Sequence, residues 1–167
     1  ILQKYTEAEL HKLFERYGEV TNAKTLAKKI VTIRDVVSLK TVEGFKNALR
    51  DVVKGNPNKY FAQVFQALRI EVNEEMVVLQ EMLEQSVGLL RKGGRIAVIT
   101  FHSVEDRLVK RFLKEGTFEE REEHPFETVK REKVFQVITK KPIVATDEEL
   151  RRNPRSRSAK LRVAERL

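Results

Sequence analysis

The sequence contains no cysteine, which excludes disulfide bonds and thiolate metal sites within its 167 residues. Its three histidines, His11, His102 and His124, are too widely separated along the chain to predict a metal cluster. No apolar run reaches the ~18 residues that a membrane-spanning helix requires, and no signal-peptide pattern precedes the first predicted helix. We therefore expect a cytoplasmic protein with no metal site and no membrane partner.

A glycine-rich loop after a strand, which is the common pattern of dinucleotide and nucleoside-triphosphate sites, is also absent. Gly93 and Gly94 precede a predicted strand, and we interpret them as a turn. No acidic pair, catalytic triad or metal-ligand set predicts hydrolytic chemistry. The chain starts with Ile1 just ahead of a predicted helix, and we expect it to begin mid-protein.

Positive charge is in excess and is unevenly distributed. The net charge is +8, and residues 151–167 carry seven basic side chains against one acid. Residues 1–55 carry 11 basic and 7 acidic groups. Such clustering is typical of a protein with a phosphate-rich partner, whereas the simpler alternative is a solvated tail that maintains solubility.

Residues 1–57 are predicted to form a small all-α subdomain of three short helices. Thr6 begins the first helix with a capping box, and Asn22 and Thr41 are the predicted caps of the other two. Helices this short need to pack on one another, because isolated short helices are marginal in water. The residues predicted to face inward are Leu10, Leu13, Phe14, Tyr17, Leu26, Ala27, Ile30, Ile33, Val42, Phe45, Leu49 and Val52.

Residues 58–167 are predicted to form an α/β domain. An apolar stripe at helical spacing covers residues 60–91, and Asn73 followed by two glutamates predicts a break there, with Asn73 as a new N-cap. The period then changes. Residues 95–101 form a continuous apolar run rich in β-branched side chains, which is typical of a buried parallel strand.

A helix after this strand completes the order expected of a doubly wound sheet. Ser103, together with Asp106, is the predicted cap of that helix. Residues 115–133 are charge-rich and predict an exposed excursion. Two further strands are predicted, at residues 134–139 and, at a sheet edge, at residues 158–164. Three strands are few for such a sheet, so the chain looks structurally incomplete.

The first group of candidate site residues lies on the long helical stripe. Gln66, Arg69 and Asn73 follow one another at i, i+3 and i+7 and form a polar row. One interpretation is that Arg69 and Asn73 fasten this helix to a neighbouring element or cap the next helix. The alternative is direct contact with RNA.

The second group follows the strand at 95–101. In open α/β sheets, ligands bind beyond the carboxyl ends of strands, where Phe101, His102 and Ser103 are expected. An aromatic ring, an imidazole and a hydroxyl suit a nucleobase taken out of its helix. The alternative roles are structural, with Ser103 as a helix cap, Phe101 in the core and His102 in an internal hydrogen bond.

The third group is the pair Arg155 and Arg157, which are separated by one serine and follow Pro154. Arginines in such a loop suit two-point contacts with phosphate groups. Solvated turns have a similar composition, so the pair alone is weak support for nucleic-acid binding.

Three long segments resemble the MraW (RsmH) family: FQALRIEVN (65–73), GGRIAVITFHSVEDRLVKRF (93–112) and ITKKPIVATDEELRRNPRSRSAKLRVAER (138–166). Residues 1–55 resemble, more weakly, the helical domain that the family inserts into its fold, most clearly in TEAELHKLFERYGE. The resemblance implies the C-terminal half of a class I, Rossmann-like methyltransferase sheet. The family's cofactor loop and acidic ribose-binding position are absent, and we expect them upstream of Ile1.

The resemblance also implies a chemistry, which is S-adenosylmethionine-dependent methylation of N4 of a cytidine in 16S ribosomal RNA of the small subunit. His102 would be the catalytic, proton-handling residue, and Phe101 would stack on the cytosine. Arg69, Asn73, Ser103, Arg155 and Arg157 would bind the RNA. S-adenosylmethionine would serve the complete enzyme, and none is expected to bind this chain alone.

Two other classes of function stay open. The chain could be a non-catalytic RNA-binding module that uses its basic C-terminal surface, or a purely structural domain. A homodimer is an open alternative for its quaternary structure. Salt-dependent RNA binding separates the RNA-binding module from the structural domain, and a glycine-rich loop upstream separates the enzyme from both.

Overall fold

The computed structural model describes residues 1–119 and 132–167, which divide into two compact units, Ile1–Glu75 and Met76–Leu167. Most of the predicted excursion at 115–133 therefore lies outside the described residues. Among those described, no helix is both long enough and apolar enough to cross a membrane. The sequence predicts a domain boundary at residue 57, whereas packing divides the chain after Glu75. The two boundaries answer different questions, and the domain assignment stays a prediction.

The first unit is helical, as its sequence predicts. Its elements are α1 (Glu7–Arg16), α2 (Ala23–Ile33), α3 (Val42–Ala48), a 3₁₀ turn (Arg50–Val52) and α4 (Pro57–Val72). The predicted capping box of Thr6 and Glu9 is present, and Thr41 caps α3. Asn22 stands at the N-cap position of α2 but makes no side-chain capping bond, and its Nδ2 donates to the Val52 carbonyl at 2.8 Å.

The core of this unit is formed by the apolar faces of these helices. Leu10, Phe14, Leu26 and Ile30 are fully buried, and burying each such side chain contributes about 1.5–3 kcal/mol. The prediction that Val42 faces inward was wrong, because this first residue of α3 lies ahead of the packed face and is exposed.

The predicted helix break near Asn73 is confirmed, but Asn73 is the C-cap of the helix before the break and not the N-cap of the helix after it. Asn73 ends α4, where its N–H donates to the Arg69 carbonyl, and it does not begin the next helix. Glu74 follows with φ 51°, a left-handed conformation that interrupts helical hydrogen bonding. A new helix, α5, then covers Glu75–Leu89.

The second unit contains a small antiparallel sheet. Its elements after α5 are β1 (Arg95–Thr100), α6 (Ser103–Glu115), β2 (Phe135–Val137), β3 (Ile143–Val144), α7 (Asp147–Arg152), a 3₁₀ turn (Pro154–Ser158) and β4 (Lys160–Arg166). The strand order is β1-β4-β2, and β3 also pairs with β4. β1 and β2 are thus near neighbours, separated by β4.

Two predictions about the strands were wrong. Among the described residues β1 does not form the predicted parallel strand buried on both faces, because its partner β4 is antiparallel and its side chains alternate in burial. β4 lies at the centre of the sheet and not at its edge. An apolar, β-branched run favours a strand but does not specify the direction or position of its neighbours.

One face of this sheet packs on helices, and this packing forms the second core. Val109, Phe112 and Leu113 of α6 lie in one buried cluster with Leu83, Phe135 and Ala164. The opposite face is apolar but open, since Ala97, Ile99 and Ile143 are exposed.

Candidate functional site

The register of the sheet brings several chain segments to one end of it. Thr100, the last residue of β1, pairs with Lys160, the first residue of β4, and the hydroxyl of Thr100 donates to the Lys160 carbonyl at 3.3 Å. Val144, the last residue of β3, pairs with Lys160 as well. We call this place, where β1 and β3 end and β4 begins, the site end of the sheet.

Phe101 and His102 leave β1 at the site end, as the sequence predicts for residues beyond a strand's carboxyl end. The Phe101 side chain is 56% exposed. This exposure is compatible with the prediction that Phe101 lines a site, and it is not compatible with the alternative that Phe101 lies in the core. His102 is largely buried, with only 9% of its side chain exposed.

His102, and not Ser103, is the N-cap of α6. Its Nδ1 accepts a hydrogen bond from the Glu105 N–H at 3.3 Å, and the Glu105 carboxylate accepts from the N–H groups of Phe101 (2.8 Å) and His102 (3.2 Å). The predicted box of Ser103 and Asp106 was therefore wrong by one residue. His102 is the last residue with extended backbone, at φ −140° and ψ 164°, and Ser103 is already helical.

This capping geometry determines how His102 can handle a proton. Because Nδ1 accepts the Glu105 N–H, the neutral imidazole carries its hydrogen on Nε2. Nε2 lies 3.3 Å from Glu105 Oε1. Burial raises the pKa of Glu105, but hydrogen bonds from the His102 side chain and the Phe101 N–H outweigh it and hold that pKa below its usual range. Nε2 is a buried atom, so in this structure it faces the Glu105 carboxylate within the cap.

A buried ion pair supports the same helix turn and was not predicted from the sequence. Arg162 in β4 donates from Nε to Asp106 Oδ1 at 2.7 Å and from Nη2 to Oδ2 at 3.1 Å. Lys160 Nζ lies 3.5 Å from the same carboxylate. These contacts lower the pKa of Asp106, the Arg162 hydrogen bonds most of all. Two features of the sequence could have indicated this pair. Asp106 is an acid in the first turn of a helix, and Arg162 is a basic residue on the inward face of a strand.

The two candidate arginines of the C-terminal segment lie on the 3₁₀ turn Pro154–Ser158, which enters β4 at the site end. Ser156 between them is buried, and its hydroxyl donates to the Asn153 carbonyl at 2.7 Å. Arg155 and Arg157 are exposed, and within residues 1–119 and 132–167 neither guanidinium has a protein partner. The anchored serine leaves both cations available to solvent and to anions.

The polar row on α4 belongs to the other compact unit. Arg69 donates to Glu75 from Nε at 2.7 Å and from Nη2 at 3.0 Å. Asn73 Nδ2 donates to Glu75 Oε1 at 3.2 Å, and Gln66 Nε2 donates to the Tyr17 carbonyl at 2.8 Å. These contacts match the structural alternative, in which Arg69 and Asn73 fasten the helix end.

The family model described as the MraW methylase family matches residues 1–167 of this sequence. The chain belongs to that family. The resemblance in the three long segments is thereby confirmed.

Curated relatives agree with this membership. The chain is 51% identical to the Ribosomal RNA small subunit methyltransferase H of Azobacteroides pseudotrichonymphae, over 100% of this chain and 55% of the relative. It is 48% identical to the protein of the same name from Parabacteroides distasonis, again over 100% and 55%. The Porphyromonas gingivalis protein is 46% identical with the same coverage. The chain thus spans about half the length of the curated relatives it matches.

Gly93 and Gly94 of this MraW family member lie in the turn before β1. Gly93 has φ 78° in the turn before β1, and its N–H donates to the Arg166 carbonyl at 2.7 Å. The Gly94 N–H donates to the Arg91 carbonyl at 2.8 Å, and the Gly94 carbonyl accepts from Arg166. Both amides are therefore used within the protein, and the described residues offer no glycine-rich loop after a strand.

Proposed function

We propose that this chain is the RNA-side part of an S-adenosylmethionine-dependent methyltransferase acting on N4 of a cytidine in 16S ribosomal RNA. The observation that carries the proposal is that, in an MraW family member, the exposed Phe101 and the outward-facing Arg155 and Arg157 leave the same end of one sheet. The relatives are named as small-subunit ribosomal RNA methyltransferases, which supports ribosomal RNA as the substrate.

The proposed Rossmann-like sheet is larger than the four strands described. Two observations support additional strands and helices supplied by the rest of a full-length enzyme. Within the described ranges β1 pairs on one side only, with β4. The face of the sheet that carries Ala97, Ile99 and Ile143 is apolar and exposed, whereas doubly wound sheets have both faces covered.

The residues at the site end suit a cytosine turned out of its helix. Phe101 provides an aromatic surface on which a base can stack, a contact worth ~1–3 kcal/mol per base. Arg155 and Arg157 can hold the phosphates on either side of it. The exocyclic amine loses a proton when it is methylated, and the His102 and Glu105 pair is the proposed group for handling that proton. Because both ring nitrogens of His102 are engaged, the Glu105 carboxylate would be the acceptor and His102 would position it.

S-adenosylmethionine supplies the methyl group in the complete enzyme. Because Gly93 and Gly94 are engaged by the Arg91 and Arg166 backbone in the turn before β1, we propose that the chain by itself does not hold the cofactor. Titration calorimetry of S-adenosylmethionine into the chain should detect no heat of binding at micromolar concentrations. Micromolar affinity would contradict this proposal and would show that the chain contains a cofactor site away from the turn at Gly93 and Gly94.

Methyl transfer tests the activity itself. In a protein extended to the length of the relatives, Phe101→Ala should lower the rate of methyl incorporation into small-subunit ribosomal RNA by ~10-fold or more, because stacking of about that strength is lost. Phe101→Trp retains a ring and is the matched control. Equal rates for Phe101→Ala and the parent protein would contradict the proposed role of the site end.

A non-catalytic RNA-binding module is the second candidate. Arg155 and Arg157 favour it, because their guanidinium groups are available whether or not a cofactor is present. Salt-dependent RNA binding by the chain without methyl transfer by the extended protein would support this reading. A homodimer is a separate proposal, which sedimentation of the chain in solution would test.

A further inference from the structure

A second positively charged feature lies in the sheet unit, between α6 and the segment that follows β2. It is a groove of about 230 Å³. Its lining residues are Lys110, Leu113, Lys114, Val137, Lys140 and Arg162. We call it the lysine groove.

The groove has an apolar floor and a rim of cations. Leu113 and Val137 form the floor, and in the part of the chain that the structure describes every charged lining residue is basic. Arg162 is engaged by Asp106, and Lys114 pairs with its exposed neighbour Glu115 at 3.1 Å.

The remaining two cations, Lys110 and Lys140, have no hydrogen bond or ion pair with the described residues. Both are exposed. They are therefore the lysines of the groove that a ligand could engage without breaking an existing contact.

The groove leads away from the site end. Asp106, Lys110 and Lys114 follow each other at intervals of four residues, so they lie on one face of α6. Each interval advances ~6 Å along the helix. Asp106 contacts Lys160, which begins β4 at the site end, and Lys140 lines the same groove as Lys110. Beyond Asp106, the cations Lys110 and Lys114 thus continue along α6 from the site end.

We propose that the lysine groove binds the phosphate backbone of the RNA segment next to the target nucleotide. The inference rests on the proposed function for its partner, and it adds a contact surface separate from Arg155 and Arg157. Regularly spaced cations over an apolar floor suit a strand, because its charges repeat along the chain while sugars and bases supply apolar surface. An acidic protein segment would bring carboxylates to the rim without the sugar and base surface that suits the apolar floor.

The test is RNA binding by the whole chain as a function of salt. A single-stranded segment of small-subunit ribosomal RNA that contains a target cytidine is titrated with the parent chain and with Lys110→Ala/Lys140→Ala. The variant should reduce the slope of log affinity against log salt by ~1.4, from ~0.7 for each phosphate contact on a single strand. Lys110→Arg/Lys140→Arg keeps both charges and should restore the slope.

Lys24→Ala/Lys28→Ala removes the same charge from exposed positions of α2 and is the matched control. The groove variant and the control variant could both keep the steep slope of log affinity against log salt that the parent chain shows. That result would overturn the groove proposal and leave RNA binding by the chain intact. A parent chain without salt-dependent binding would overturn the RNA partner itself. Binding of poly-L-glutamate as tight as that of RNA, lost equally in the groove variant, would also overturn the assignment to RNA.

Discussion

Asp106 and Arg162 form a two-point ion pair, with Nε to Oδ1 at 2.7 Å and Nη2 to Oδ2 at 3.1 Å, that joins the first turn of α6 to the central strand β4. Only 11% of the Asp106 side chain and 7% of the Arg162 side chain are exposed. The pair therefore holds the start of α6, and with it the His102 cap, against the middle of the sheet.

Removing one partner of this pair should be strongly destabilising. Asp106→Ala leaves the Arg162 guanidinium buried without its carboxylate, and such a change costs about 3–5 kcal/mol. Replacing both partners, as in Asp106→Leu/Arg162→Met, removes the charges together and should recover most of that loss. Chemical denaturation measures both unfolding free energies. A single variant with unchanged stability would contradict the structural role of the pair.

The same pair predicts a pH dependence. The Arg162 hydrogen bonds hold the pKa of Asp106 below its unfolded value of ~3.9. A carboxyl group with a lowered folded-state pKa contributes stability that is present above the unfolded pKa and is lost as pH falls through the folded pKa. The difference in unfolding free energy between the parent and Asp106→Asn should therefore shrink below about pH 4. A difference that is constant from pH 7 to pH 3 would contradict this.

His102 should contribute to stability as a helix cap. His102→Ala removes the side-chain acceptor of the Glu105 N–H, which costs ~1 kcal/mol for typical caps. His102→Asn supplies a strong capping side chain and should restore stability. If His102→Asn restores the fold but the extended enzyme stays inactive, His102 has a role in the reaction beyond capping. Full activity of His102→Asn would show that capping is its whole contribution.

Arg155 and Arg157 should matter for RNA binding and not for folding. Arg155→Ala/Arg157→Ala removes two exposed cations that have no partner among the described residues, so the melting temperature should change little. RNA affinity should fall for every sequence tested, and the salt slope should flatten by roughly one to two units. The Lys24→Ala/Lys28→Ala chain is the charge-matched control. A large drop in melting temperature with an unchanged salt slope would instead identify structural residues.

Substitution of Arg69 distinguishes the two interpretations of the polar row on α4, which are fastening of the helix end and direct contact with RNA. Arg69 and Glu75 form a partly exposed ion pair, with 55% and 21% of their side chains exposed. A double-mutant cycle of Arg69→Ala and Glu75→Ala should therefore give a coupling energy of ~0.5–1 kcal/mol. Because Glu75 engages the guanidinium, we expect Arg69→Ala to leave the RNA salt slope unchanged. A slope lowered by ~0.7 would show that Arg69 contacts phosphate.

The features that the sequence predicted correctly depend on neighbours along the chain. Thr6 reaches Glu9 and Thr41 reaches Gly44, contacts that span three residues. The helix break at Asn73 likewise follows from local backbone preferences. Family membership was also available, because three long segments retain their order and spacing.

The features that the sequence did not predict depend on residues far apart. Arg162 lies 56 positions from Asp106, and nothing in either segment specifies that contact before the chain folds. The direction of β1 and the central position of β4 depend on which strands pair, and an apolar run can serve a parallel or an antiparallel neighbour equally well.

The site shows the same division. The sequence by itself determined which side chains follow β1 and that two arginines flank a serine near the C-terminus. Only the tertiary structure decided that His102 rather than Ser103 caps α6, and that Phe101 shares one end of the sheet with the Arg155 and Arg157 turn. The physical reason is that strand register, set by long-range hydrogen bonds, places segments that are remote in sequence at one end of the sheet.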